Sequence, residues 1–399
     1  DKEFMLKWRE VAFSKLPKFA NHNLTLFLYS LATLSIKPDK EFMLKWREIM
    51  LSRLNELNPQ GFSNSIYSLA ILNIKPDSHF LLQWQKTATD KLSGFNSQHL
   101  SNSMYSFSKL GIIPHPNFYN KWQHTVKEKL SEFKSQELSN SIYALAVLNT
   151  KPTDDFILQW QEEAQKKLHQ FSNQDLSNSI YALSKLRVVP NRNFCDKWQH
   201  IAKEKLPEFN NQELSNSIYS FSKLNIKPSN KFLIKWREIA FLKLHEFNTQ
   251  DLSNSIYAFA MLSIKLDNEF LQKWQKTAFS KLHEFNSQDN IHFYSLALLD
   301  LIINQGNKPT IDILPEFIVN KVNEFITKQK IIELRHLHAI YQSYLYFHYK
   351  YGRNTLTKEN IEKIQQKLND YYFNSANTSI SQLQKIVFKA LLKLIQKKM

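Results

Sequence analysis

Apolar residues recur along most of the chain at helical spacing. In the stretch SQELSNSIYALAVLNTKPTDDFILQWQEEAQKKLHQF, from Ser135 to Phe171, the residues Leu138, Ile142, Leu145, Ala146 and Leu148 share one face at the ~100° step of a helix. A second stripe follows at i, i+4 spacing: Phe156, Trp160, Ala164, Leu168 and Phe171. The pattern predicts two short helices. Ser135 is the expected N-cap of the first. Lys151-Pro152 is expected to end it, because the residue before a proline is pushed out of the α region. Asp154 and Asp155 near the start of the second helix, and Lys166 and Lys167 near its end, suit the helix dipole. No stretch alternates with period two, so essentially no sheet is expected.

The same unit repeats. The eight tryptophans are Trp8, Trp46, Trp84, Trp122, Trp160, Trp198, Trp236 and Trp274, each 38 residues from the next. Fixed self-similarity at this period marks a solenoid, in which each helix pair buries its apolar face only against its neighbours. The fold predicted is all-α, a right-handed α-solenoid superhelix of about eight helix-turn-helix repeats. The lattice begins with a second helix (Asp1 to Phe19). It runs to about Leu299 and breaks at Asn304-Gln305-Gly306-Asn307. Residues 1–303 are read as the solenoid. Residues 304–399, with helical patches at Ile361 to Tyr371 and Ile380 to Lys397, are read as a helical C-terminal cap. Because the chain opens inside a repeat, a longer protein is expected.

Composition narrows the chemistry. Five glycines in 399 residues argue against Rossmann and P-loop sites, which need glycine where backbone meets phosphate. One cysteine, Cys195, leaves no disulfide framework or Cys-based metal site and suits a reducing compartment. No apolar run approaches a membrane span. The excess of 52 Lys+Arg over 36 Asp+Glu, +16, suits a polyanionic partner.

The run Gln136-Glu137-Leu138-Ser139-Asn140-Ser141-Ile142-Tyr143-Ala144-Leu145-Ala146, the 38-residue helix pair and the proline-led second helix resemble octotricopeptide repeats. The likeness covers roughly residues 1–299. It implies an α-solenoid that binds RNA, of a kind found in organelles and in proteins of intracellular bacteria. The sequence departs from that family's pattern in several places. A single proline, as in Pro152 to Phe156, stands where the family's second helix commonly opens Pro-Pro-Pro-Glu-Trp. Leu266 replaces even that proline, and Tyr stands where a first-helix Trp is frequent.

With Leu138 at 0°, the first helix points Gln136, Asn140, Tyr143 and Val147 away from the core. Asn recurs as Asn64, Asn102, Asn140, Asn178, Asn216 and Asn254. Tyr recurs as Tyr67, Tyr105, Tyr143, Tyr181, Tyr219 and Tyr257. The fourth position varies and is Lys109, Lys185 and Lys223 in three repeats. One reading is single-stranded RNA along this face: amides bond base edges, rings stack on bases and lysines neutralise phosphate, at roughly one nucleotide per repeat. Identical residues cannot distinguish bases, so any choice of sequence falls to the variable positions. The other reading is structural, with Asn bridging neighbouring layers and Tyr wedged between them.

No catalytic arrangement stands out, and neither enzyme activity nor a cofactor is expected. His169, His245 and His283 share a register, but layers ~10 Å apart cannot close on one metal ion. Cys195 and the eight tryptophans read as core packing. Glu162-Glu163 reads as solvated surface. The run Tyr341, Tyr344, Tyr346, Phe347, Tyr349, Tyr351 reads as packing of the C-terminal helices. A monomer without membrane insertion is expected. The rival function is a protein–protein interaction scaffold, including a bacterial effector acting in a host cell. A third reading places a catalytic part outside this chain.

Overall fold

The computed structural model describes residues 2–262 and 264–281, residue 284, single positions between 323 and 348, and residues 354–370. The chain divides into two compact bodies, Asp1–Ile239 and Ala240–Met399. The expected boundary near residue 303 and the helical patch Ile380 to Lys397 lie outside the described residues, as does His283.

The described residues form helices and no strands. Second helices of the repeats are α1 (Lys2–Lys15), α3 (Lys40–Arg53), α5 (Ser78–Lys91), α7 (Pro116–Lys129), α9 (Asp154–Lys167), α11 (Arg192–Lys205), α13 (Asn230–Lys243) and α15 (Asn268–Ser280). First helices are α2 (Asn21–Thr33), α4 (Pro59–Ile71), α6 (Ser97–Leu110), α8 (Ser135–Val147), α10 (Asn173–Lys185), α12 (Asn211–Leu224) and α14 (Thr249–Met261). A separate helix, α16 (Lys358–Asn369), lies in the C-terminal body. Neighbouring helices pack in series, so the fold is an all-α solenoid.

Two local expectations are corrected. The N-cap of α8 is Lys134, not Ser135, which is already helical. Lysine offers no capping oxygen, so only the other half of the capping box is made there, Glu137 accepting from the Lys134 N–H (2.8 Å). Other repeats carry a true cap at this register: Asn58, Asn96, Ser172, Asn210 and Asn248 each accept from the third helical N–H. Nor does Pro152 end α8. The helix stops at Asn149, whose φ of 53° is left-handed, and the Thr150 N–H closes onto the Leu145 carbonyl (3.0 Å). The same stop uses Ser35, Asn73, Gly111, Arg187 and Asn225. In a glycine-poor chain, asparagine is the commonest substitute because it tolerates this region best.

The tryptophan lattice is the core. Seven indoles, from Trp46 to Trp274, are 0–1% exposed. The Trp160 Nε1–H donates to the Leu138 carbonyl (3.0 Å), which ties the second helix to the first. Trp122 and Trp236 do the same to Leu100 and Leu214. Within residues 1–239 the rings from Trp46 to Trp198 also meet the phenylalanine opening the next second helix, as Trp160 meets Phe194 at 5.8 Å. The apolar core is therefore continuous from layer to layer.

The serines flanking each asparagine are buried: Ser101 and Ser103, Ser139 and Ser141, Ser177 and Ser179, Ser215 and Ser217. Their small side chains let successive first helices approach closely. The Ser101 hydroxyl donates to the Glu137 carbonyl of the next layer (3.2 Å). Successive first helices thus touch along their length, while successive second helices touch less extensively. Within residues 1–239 this places the first-helix wall on the inner side of the stack.

Within residues 1–239 a recurring cation fastens a layer to the one before. Lys91, Lys129 and Lys167 donate to Leu57, Phe95 and Phe133 carbonyls at 2.8, 2.7 and 2.6 Å. Lys205 bonds Phe171, and Arg53 bonds Phe19 and Pro17. The residue after Trp makes a second tie. Gln85, Gln161 and Gln199 accept the N–H of His115, Asn191 and Ser229 at 2.6–2.7 Å, where the next second helix is about to start.

Candidate nucleic-acid interface

The outward line of the first helix emerges between the buried serines. Gln60, Gln98, Gln136, Gln174 and Gln212 are exposed. Asn64, Asn102, Asn140, Asn178 and Asn216 are half-buried, as are Tyr67, Tyr105, Tyr143, Tyr181 and Tyr219. In the C-terminal body Asn254 is buried, at 7% exposure, and Tyr257 is half-buried. Within residues 1–239 these positions recur on one wall because the 38-residue period returns each to the same place on a new layer.

The amides are notable for what they do not bond. Among the described residues, no protein group hydrogen-bonds the side-chain amide of any of the six asparagines. The bonds at these positions run to the backbone carbonyl, as from Ser68, Ser106 and Ser220 to Asn64, Asn102 and Asn216 (2.6 Å each). The layers are joined by the serines instead. A half-buried amide with two donors and an acceptor unmatched by protein is a group suited to an incoming partner.

The tyrosines form a ladder. Tyr29 and Tyr67 lie 6.0 Å apart at 31°, and Tyr143 and Tyr181 lie 6.2 Å apart at 38°. Burial, and then the neighbouring rings, push the phenols of Tyr67 and Tyr143 above their ordinary value; Tyr105 is a neighbour of both. Burial does the same at Tyr181. The hydroxyls therefore stay neutral donors, and the rings are spaced layer by layer along the wall.

Lys109 and Lys185 are exposed and Lys223 is half-exposed. Each ammonium sits near the ring four residues earlier: Lys109 over Tyr105 at 5.9 Å, Lys185 over Tyr181 at 6.0 Å and Lys223 over Tyr219 at 4.9 Å. Cation–π attraction holds the charge beside the aromatic ladder. Carboxylates at the other end of the first helices are engaged in caps: Asp175 with Ser172, and Glu213 with Asn210. The wall thus carries amides and phenols along its length, with lysine toward its C-terminal end.

Other candidates resolve differently. Cys195 is buried, burial raises its thiol, and Gln199 lies 3.5 Å from its sulfur. His169 and His245 are exposed, and no three His, Cys, Asp or Glu among the described residues gather as a metal site would need. Glu163 pairs with Lys166 at 2.5 Å. Tyr341 and Tyr344 are buried and stacked at 6.0 Å, and Tyr341 accepts from Gln365 of α16. Tyr346, Phe347, Tyr349 and Tyr351 lie outside the described residues. No helix among the described residues is long and apolar enough to cross a membrane.

The sequence alone does not separate the lysines. Lys91, Lys129, Lys167 and Lys205 look like surface charge in the sequence, yet they bind loop carbonyls. Their recurrence at one register, four residues before the loop phenylalanine of their own repeat, gave no chemical hint of this. The buried serine pairs were also legible only as part of a motif.

Residues 81–227 match the family model described as Tbc2 translation factor, N-terminal domain. The match is less than half of the chain and contains all of α6 to α12. No curated protein matches the chain.

Proposed function

We propose that this chain is an RNA-binding helical-repeat protein that holds single-stranded RNA along its first-helix wall, at roughly one nucleotide per repeat. The observation that carries the reading is the row of half-buried asparagine amides without protein partners, running beside the tyrosine ladder and its lysines. Unpaired bases expose hydrogen-bonding edges and π-faces, and this wall offers a partner for both. The likeness of residues 81–227 to a translation-factor domain supports an RNA-related role, and so does the resemblance to octotricopeptide repeats. Binding rather than catalysis is the activity. Asn and Tyr supply grip common to all repeats, and Lys109, Lys185, Lys223 and their counterparts Ile71 and Val147 supply what differs between them.

One observation favours a protein partner. Leu44, Leu82, Leu158 and Ile234 recur on the second helices at the same register and are 51–59% exposed. That apolar row lies on the second helices and the asparagines lie on the first, so it suits a scaffold role on another surface. Selection from a random RNA pool at physiological salt separates the two. A short enriched motif supports the RNA reading. No enrichment, with no RNA binding at lower salt, favours the scaffold.

A further inference from the structure

Two positions four residues apart lie at the C-terminal edge of every first helix: the last outward residue and the loop residue just beyond the left-handed stop. Along the chain they read Thr33 and Lys37, Ile71 and Lys75, Lys109 and Ile113, Val147 and Lys151, Lys185 and Val189, Lys223 and Lys227, Met261 and Lys265. Every repeat carries lysine in at least one of the two. Where the helix position lacks it, the loop position has it. In the first body Lys37, Lys75, Lys151 and Lys227 are all exposed.

The helix dipole favours a cation near a C-terminus. It does not explain the alternation. Ile113 is 73% exposed and Val189 is 65% exposed, costly places for large apolar groups, and they hold the loop position only where Lys109 and Lys185 hold the helix position. A demand for solubility would put lysine there too. A demand for one cation per layer is met by either position. Nearby carboxylates are mostly engaged: Asp39 caps the Phe42 N–H, and Asp77 caps the Phe80 N–H and pairs with Arg47. Lys151 has only a loose contact with Asp154 (3.9 Å), both groups being open to solvent.

We propose that this edge is the track of the RNA phosphate backbone within residues 1–239, with one lysine per layer drawn from either position, while the bases turn onto the asparagine and tyrosine wall. The proposal rests on the RNA reading above and adds four residues of the interhelix loops to the binding surface: Lys37, Lys75, Lys151 and Lys227.

The test compares two variants of equal charge loss in the full chain. The track variant carries K37Q, K75Q, K151Q and K227Q. The control carries K86Q, K121Q, K134Q and K166Q, four exposed lysines away from this edge. Binding of a labelled single-stranded oligouridylate is titrated across a salt series, and thermal melting checks that both variants fold as the parent does. Each phosphate contact on a single strand contributes about 0.7 to the slope of log K against log salt. The track variant is expected to lose about 2 to 3 of that slope and at least about tenfold in affinity at low salt, and the control far less. If the parent binds and the two variants change alike, the track is wrong while the RNA reading stands. If the parent shows no binding even at low salt, the RNA reading falls and takes the track with it.

Discussion

The ammonium of Lys129 lies 2.7 Å from the carbonyl oxygen of Phe95, 34 residues earlier, and also bonds the Ser93 carbonyl. A charge that looks like free surface in the sequence is thus part of the joint between layers. Lys129→Met keeps much of the stem and removes both bonds. It is expected to cost about 1–2 kcal/mol in urea unfolding, the low end for charged hydrogen bonds because the group is partly exposed. The salt dependence of RNA binding should stay as in the parent, in contrast to loss of Lys109, Lys185 and Lys223 together, which should flatten it by about 0.7 per lost contact.

Tyr143 tests the aromatic ladder. Tyr143→Ala removes the ring and is expected to weaken single-stranded RNA binding by about 1–3 kcal/mol, the range for one stacked base. Tyr143→Phe keeps the ring and should bind nearly as well as the parent. Equal losses in the two variants would assign the effect to the hydroxyl and remove stacking from the account. Fluorescence anisotropy with a labelled oligonucleotide reads both.

Trp160→Ala empties the space among Phe156, Ala164 and Phe194 and frees the Leu138 carbonyl. The expected destabilisation is about 3–5 kcal/mol. Because each layer packs only on its neighbours, hydrogen exchange should rise first in α8 and α9 rather than uniformly.

His99 stands where other repeats have a capping-box carboxylate, as at Glu137 and Glu213. Its Nδ1 accepts from the Asn96 N–H at 3.4 Å, a bond that only the neutral ring makes. Burial, reinforced by the nearby Lys129 charge, holds its pKa below the ordinary 6.5. The unfolded chain therefore takes the proton first. The stability from this group is complete above pH 6.5 and is lost as the pH falls from there through the lower folded value. His99→Glu should be less sensitive over that window, read as the shift in urea midpoint between about pH 7.5 and about pH 5.5.

Arg187 occupies the left-handed position at the end of α10, with φ 56°. An L side chain there costs about 1 kcal/mol that glycine avoids. Arg187→Gly is expected to raise the melting temperature, as Gly111 does without strain at the same register (φ 64°). An unchanged or lower melting temperature would mean that the Arg187 side chain contributes contacts outweighing the strain.

The fold was legible because one bulky residue type, tryptophan, falls on a lattice and has a single reading as core. Less was legible where identity and role part company. Ser135 looked like a cap because Lys134, the residue at the capping position of that one repeat, is atypical; Asn96 or Asn210 marks the register correctly. Pro152 looked like the helix stop because proline is a familiar breaker, whereas Asn149 ends the helix by adopting a conformation that the sequence does not announce. The outward line of Asn140 and Tyr143 followed from the helical step alone. That the amides lack partners did not, since serines such as Ser101 and Ser139 make the bonds between layers instead. Lysines divide by three-dimensional neighbours only: Lys109 meets Tyr105, and Lys129 meets Phe95.

The ties across each joint repeat with the tryptophan spacing: Lys129 to Phe95 and Lys167 to Phe133, or Gln161 to Asn191 and Gln199 to Ser229. Cutting out 38 consecutive residues between two like joints, such as those of Gln161 and Gln199, brings together surfaces that already match, whereas the joint of Arg47 and Asp77 has its own pairing. Reach along a ligand is then set by copy number, a property that changes in discrete increments.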